Sequence, residues 1–323
     1  MNSCHRTPGV NRRAALSVLG SAAAALALPL PAWSQSGKIL LGYTAVTDFA
    51  SAFVAAEQGY FSKRDLDVEL KFIPINPTIP AAIQSDSLQI GGPTPQVYLQ
   101  AVDGGLDHVV LAGGGVTSKT NTAAGFVARA GSGIRGARDC VGKKIGVPGL
   151  GALLHVTFRA WLKDNGVDYK KVNFVEVAFP QHGDLLRSGS VVGVVTADPF
   201  MSRIIDSGVG YMASYHVTFL EPGNPTIIYT ARRDWAQKNT AAVKAFREAV
   251  QEGAAFMGQP KNDAAVRAAI GKHIKLPPEI LAKMQISPPG PVVTEKQLNY
   301  WAAMMKDQSM LQTEPRVATL IVK

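Results

Sequence analysis

Short apolar runs alternate with helix-patterned runs through most of this chain, and that alternation restricts the fold more than any other feature. "KILLGYT" leads to "FASAFVAAEQGYFSKR", where Thr47 or Asp48 is placed to cap the helix and Gly59 to stop it. "VELKFIP", a helix around "TIPAAIQSD", the short strand "LQIGG", a helix from "PTPQVYLQAVDGG" and the strand "HVVLAGG" follow. This β-α-β-α-β order predicts an open, mainly parallel sheet covered by helices. The order restarts at "KKIGVPG", which feeds "ALLHVTFRAWLKDNG", "VNFVEVAF", "HGDLLRSG", "VGVVTAD", "PFMSRIIDSG" and "YMASYHV". "NPTIIYTARRDWAQKN" then supplies a further strand and a long helix to about Met257, and helical segments complete the chain.

The expectation is an α/β protein of two lobes, the second inserted in the first. The first lobe is expected over residues 35–130, the second over 131–217, and a return to the first with C-terminal helices over 218–323. The Gly- and Arg-rich stretch "AGFVARAGSGIRGARDC" reads as a crossing segment, and the glycines and Pro225 near the crossings suit hinges.

Residues 1–34 have the pattern of a cleaved export signal and are set apart from the fold. Arg6, Arg12 and Arg13 precede an Ala-rich apolar run from Ala14 to Leu30, and Ala32 and Ser34 supply the small residues of a cleavage site. Arg12–Arg13 resembles a loose twin-arginine signal, and an ordinary secretory signal fits as well. Without this segment, which holds three arginines and no acid, the formal charge falls from +9 to +6. That excess is mild, the lysines are scattered, and no aromatic-interleaved basic stripe marks a nucleic-acid binder. Cys140 is the one thiol left after the signal, so no internal disulfide is available and the core must hold the fold. The expected location is the periplasm.

Four segments in order carry a family resemblance: "AAEQGYFSKRDLDVELKF", "SDSLQIGG", "VGKKIGVPGLGA" and "LLRSGSVVGVVTADPF". Over roughly residues 38–290 the chain resembles the NMT1/SsuA-like periplasmic solute-binding proteins. The resemblance implies a two-lobed type II binding-protein fold, no enzymatic activity, no cofactor, and delivery of a solute to the permease and ATPase of an ABC importer. It implies a monomer whose ligand is a small organic molecule of the anionic kind, sulfonate or carboxylate, while nitrate and thiamine-type pyrimidines also occur in the family. Val192–Gly193 and "GGPTP" depart from the family pattern, which puts local packing in doubt.

In an open α/β sheet, ligands bind beyond the carboxyl ends of the strands, where loops turn into helices. That rule nominates Thr44, Thr47, Phe49, Thr94, Gln96 and Gly114 from the first lobe. From the second it nominates Gly149, Leu150, Gly151, Ala152, Thr196, Pro199, Phe200, Tyr215 and His216. Backbone N–H groups of the glycine turn would favour a negative group. The threonine hydroxyls would orient the ligand, and Phe49, Phe200 and Tyr215 would cover an apolar body. Each has a plainer reading: Thr47 and Asp48 as caps, Phe49 as core, and Asp198 as a cap ahead of Pro199. Lys119, Arg129 and Arg187 are candidate anion partners that the sequence does not place. His155, His182 and His216 lack zinc-motif spacing and no cysteine joins them, so no metal is expected. "GVPGLGALL" followed by Glu176 also resembles a displaced dinucleotide fingerprint, which keeps an exported NAD-type oxidoreductase as the rival. A receptor feeding a membrane sensor is a further alternative.

Overall fold

The computed structural model describes residues 1, 3 and 37–322. The export signal expected over residues 1–34 and its cleavage site lie outside the described residues, apart from residues 1 and 3. Residues 37–322 lie in one compact unit.

Its ten strands are β1 (Ile39–Tyr43), β2 (Val68–Phe72), β3 (Ile90–Gly91), β4 (His108–Gly113), β5 (Ala124–Arg129), β6 (Lys144–Val147), β7 (Asn173–Glu176), β8 (Gly193–Ala197), β9 (Gly210–Ser214) and β10 (Ile228–Arg232). The helices of the first half are α1 (Ala50–Glu57), α2 (Ile79–Gln84), α3 (Pro95–Asp103), α4 (Leu153–Asp164), α5 (His182–Arg187) and α6 (Phe200–Asp206). The remainder are α7 (Arg233–Lys238), α8 (Thr240–Met257), α9 (Asp263–Ile274), α10 (Pro278–Lys283) and α11 (Glu295–Asp307).

Two five-stranded sheets result, ordered β2-β1-β3-β10-β4 and β7-β6-β8-β5-β9. The same plan is used twice. In each sheet the third strand borders one antiparallel strand, and that strand is the one arriving from the other lobe. No helix precedes such a strand; β10 is still legible in "NPTIIYT", which leads into a helix, whereas β5 is not. This corrects the sequence reading: "AGFVAR" is not a crossing loop but β5, paired antiparallel with β8 and β9, with Phe126 and Val127 fully buried. Residues 124–130, expected in the first lobe, therefore build the second sheet.

The chain crosses between sheets at 114–123 and again at 215–227. The crossings run antiparallel: Thr117 N–H donates to Asn224 O at 2.8 Å, and Thr226 N–H to Gly115 O at 2.8 Å. A third segment, between α10 and α11, lies alongside, with Val116 N–H donating to Pro288 O and Gly290 N–H to Gly114 O. Three extended segments thus bridge the lobes.

Fully buried Ile39, Leu41, Phe53, Phe246 and Val250 anchor the first sheet against its helices, while Phe158, Leu162 and Val195 do so in the second. Each such side chain contributes roughly 1.5–3 kcal/mol. A further cluster joins the lobes. Val156 of α4 shares it with Tyr98 of α3 and with Leu298, Trp301 and Met305 of α11. Around that seam Gln308 Nε2 donates to Val156 O at 3.0 Å, and Lys163 pairs with Asp307 at 2.6 Å.

Candidate ligand-binding site

Both sheets aim the carboxyl ends of their parallel strands at one cleft, so the loops after β1, β3, β6 and β8 meet there. Thr44, Val46 and Asp48 enter after β1, and Thr94 after β3. Pro148, Ala152, Leu153 and Leu154 come from the loop after β6 and the start of α4, and Ala197 ends β8. The crossings contribute Val116, Thr117, Ser118, Asn121, Thr226 and Ile227, and the third bridging segment contributes Ser287. Asn76, Phe179, Val217 and Leu220 complete most of the wall.

The polar part of this wall is held in place. Asn76 donates to Gly92 O at 3.0 Å and accepts from Thr94 N–H at 2.9 Å, which fixes the turn into α3. Thr94 also caps α3 by accepting from Val97 N–H. Thr226 donates its hydroxyl to Asp48 Oδ1. Burial raises the Asp48 pKa above the ordinary carboxylate value, against the opposing effect of hydrogen bonds from Thr226 and Ser287.

Of the expected site residues, the cleft wall includes Thr44, Thr94 and Ala152. The others serve it from behind or belong elsewhere. Thr47 bonds Ser287, accepting from its N–H at 3.2 Å, and so ties the first lobe to the bridging segment. Phe49 is fully buried with its ring against Phe53 and Tyr229, which is core packing. Gln96 and Thr196 are fully buried, with neither the Gln96 amide atoms nor Thr196 Oγ1 hydrogen-bonded. Gly114 opens the first crossing, where an added Cβ would come within 2.7 Å of Asp48 O. Phe200 stacks on Phe179 behind the cleft, beside Pro199 at the start of α6. Tyr215 is partly exposed outside the wall, and His216 is buried with Nε2 at 3.3 Å from Thr157 Oγ1.

The glycine turn departs from expectation in an instructive way. Leu150 N–H donates to Glu176 Oε2 at 2.7 Å, Gly151 N–H to His155 Nδ1 at 2.9 Å, and Ala152 N–H to Gly149 O at 3.1 Å. The protein itself uses three of the turn amides expected to face a ligand, those of Leu150, Gly151 and Ala152. Asp48, expected as a helix cap, instead sits in the cleft. Asp198 does act as a cap: its Oδ1 accepts from Ser202 N–H at 3.1 Å. Asp198 Oδ2 also accepts from Gln285 N–H at 3.3 Å, which links the second lobe to the bridging segment.

No Lys, Arg or His lines the cavity among the described residues. Lys119 is exposed, and Arg187 pairs with Asp184 at 2.6 Å beside a separate depression. Arg129 stands at the end of β5 and is absent from the lining. Burial lowers the pKa of His155 and of His216 to about 3 and that of His182 to about 4, so these imidazoles are neutral at neutral pH. Sequence reasoning missed Asn76, although it lies in the loop from β2 into α2 that the strand–helix rule covers, and it missed Thr117, Ser118, Asn121, Thr226 and Ser287, which lie on segments with no strand–helix turn.

The lobes also touch along the cleft edge. Gln100 Nε2 donates to Gly151 O at 3.0 Å, and a Cβ on Gly149 would stand 2.7 Å from Pro77 Cδ. The arrangement is a closed clamshell.

Two mixed α/β sheets of one plan, bridged by crossing strands with a cleft between their carboxyl ends, define the type II periplasmic binding-protein fold. The profile of the NMT1-like family matches residues 34–271, and the chain belongs to that family. The nitrate/nitrite binding protein NrtA of Synechococcus elongatus is 25% identical over 267 residues, covering 72% of this chain and 59% of that protein. The chain thus spans well under two thirds of that relative's length. Among solved structures, the alkanesulfonate-binding protein SsuA from Xanthomonas axonopodis, bound to MOPS, is similar with a TM-score of 0.77 at 15% identity, covering 90% of this chain and 99% of that one. The periplasmic nitrate-binding protein NrtA from Synechocystis gives a TM-score of 0.73 at 17% identity, covering 88% of this chain and 86% of that one.

Proposed function

We propose that this chain is the periplasmic solute-binding component of an ABC importer. It works as a monomer that closes its lobes on a small organic molecule and presents the closed form to the permease. The carrying observation is the cleft: an apolar wall of Val46, Leu153, Leu154, Phe179 and Ile227 interrupted by the hydroxyl, amide and carboxyl groups of Thr44, Thr94, Asn76, Thr226 and Asp48. Apolar walls with a few fixed polar groups suit a small ligand with an apolar body. The family and the binding-protein names of the relatives support the same reading. Binding without covalent chemistry is the activity, and the ligand acts by favouring the closed state over the open one.

The anionic class expected from the resemblance agrees with the nitrate/nitrite and alkanesulfonate named for the relatives, whereas a carboxyl group and no basic side chain lines this cleft. A thermal-shift screen of residues 35–323 against amines, amides, heterocycles, sulfonates, carboxylates, nitrate and NAD tests the function. A ligand at about a hundred times its Kd adds roughly 2.7 kcal/mol of stability, seen as a clear rise in Tm. A rise with one class of small solute is expected. A rise with NAD alone would contradict the receptor reading.

A further inference from the structure

Resting on that receptor reading, we propose that the ligand is a small organic cation, an amine, amidine or protonated nitrogen heterocycle with an apolar body, and that Asp48 is its counter-ion. The Asp48 carboxyl lines the cleft, and the side-chain donor it holds on Oδ1 is the Thr226 hydroxyl. Gly114 and Gly115 of the first crossing, Thr226 and Ile227 of the second, and Ser287 of the bridging segment pack around it, and none is charged. Tyr229 of β10 is the titratable neighbour, and burial holds its phenol neutral. A carboxylate taken out of water without a cation is costly, and a ligand that brings the positive charge removes that cost.

The opposite edge of the cleft has the same sign. Glu176, at the end of β7, places its carboxylate on Leu150 N–H, at the amide an anion would otherwise occupy. Asp198, directly after the lining residue Ala197, is a third acid, bonded to Ser202 and Gln285. His155 accepts a hydrogen bond on Nδ1 and is neutral, so it offers no positive charge. An anion entering here meets the acid Asp48 and no base among the lining residues, while Glu176 and Asp198 of the second lobe stand outside the lining. The N–H groups of Leu153 and Leu154 at the uncapped start of α4 are left for an uncharged acceptor on the far end of the same ligand.

Calorimetric titration of residues 35–323 with benzamidine, benzamide and benzoate tests this, because the three share a ring and differ in charge. Benzamidine is expected to bind most tightly, and benzoate at least about tenfold more weakly. Asp48→Asn is expected to weaken benzamidine roughly 30-fold or more, since it removes one partner of a buried charge pair. In the unmodified protein, benzamidine affinity is expected to rise with pH as Asp48 ionises, above the ordinary carboxylate range because burial raises its pKa, and this profile carries the test should Asp48→Asn fold poorly. Tighter binding of benzoate would overturn the assignment and leave the receptor reading intact. So would benzamidine binding that ignores both pH and Asp48→Asn. Binding of none of the three would also overturn it, while the wider screen decides the receptor reading separately.

Discussion

Adding a single methyl at Gly149 separates closure of the lobes from stability of the fold. Gly149 belongs to the second lobe and Pro77 to the first, and an added Cβ would lie 2.7 Å from Pro77 Cδ and 3.0 Å from Cγ. Ordinary contact begins near 3.4 Å, so closure needs about 0.7 Å of extra room against a rigid ring. Gly149 is not among the glycines with positive φ, so alanine suits its backbone. Overpacking of this kind costs about 1–3 kcal/mol. The two nearest atoms belong to the other lobe, while Ala152 Cβ of the same lobe lies at 3.1 Å, so the larger part of the cost falls on the closed form and ligand affinity should drop by about 5- to 150-fold. The assay is calorimetric titration of Gly149→Ala with the ligand found by screening, paired with its melting temperature without ligand. Gly136→Ala is the control, since a Cβ there meets nothing within 4 Å. Unchanged affinity in Gly149→Ala would refute the claim that the ligand is held by this closed contact.

Other outcomes follow from the same geometry. Trp301 is fully buried at the seam between α3, α4 and α11, and its Nε1 donates to Pro225 O at 2.9 Å, so Trp301→Ala should cost about 3–5 kcal/mol in urea unfolding. Glu176→Ala leaves Leu150 N–H without its partner; it should lower stability by about 0.5–1.5 kcal/mol and narrow the preference for benzamidine over benzoate in titration. Burial depresses His155 and His216 to a pKa of about 3 and His182 to about 4, below the unfolded value of about 6.5. Their stabilising contribution is full above about pH 6.5 and is lost as pH falls, because the unfolded chain then binds more protons. Each histidine adds a slope of up to about 1.4 kcal/mol per pH unit, and His182→Gln should remove one such share between urea melts at pH 6 and 5.

The fold was legible where helices and strands alternate. β1 through β4 and β6 through β9 each sit beside a helix in sequence, and the period of their apolar residues identifies them. β5 was not legible, since "AGFVAR" follows a crossing and carries Gly and Arg at its ends. Its place inside the second sheet, between β8 and the edge strand β9, is set by pairing with those two strands, which lie some 60 to 90 residues later. The site divides along the same line. Thr44, Thr94 and Ala152 follow the ends of parallel strands and were readable by rule. Asn76 follows parallel strand β2 and was open to the same rule, whereas Thr226 and Ser287 reach the cleft only because distant segments converge there. The glycine turn shows a different limit: sequence located it at the cleft edge but could not show that Glu176 and His155 satisfy its amides.

A distance between the lobes, measured with and without ligand, tests the central claim most directly. In residues 35–323 the native thiol, Cys140, is buried, and burial raises its pKa to about 12, so it stays unlabelled. Spin labels on Ser62→Cys in the first lobe and Asp164→Cys in the second, both exposed positions, report the separation by pulsed double-resonance spectroscopy. The account predicts a broad distribution without ligand that narrows to a single, shorter distance when a bound solute closes the lobes. A distribution that is unchanged by a solute bound at saturation would contradict it.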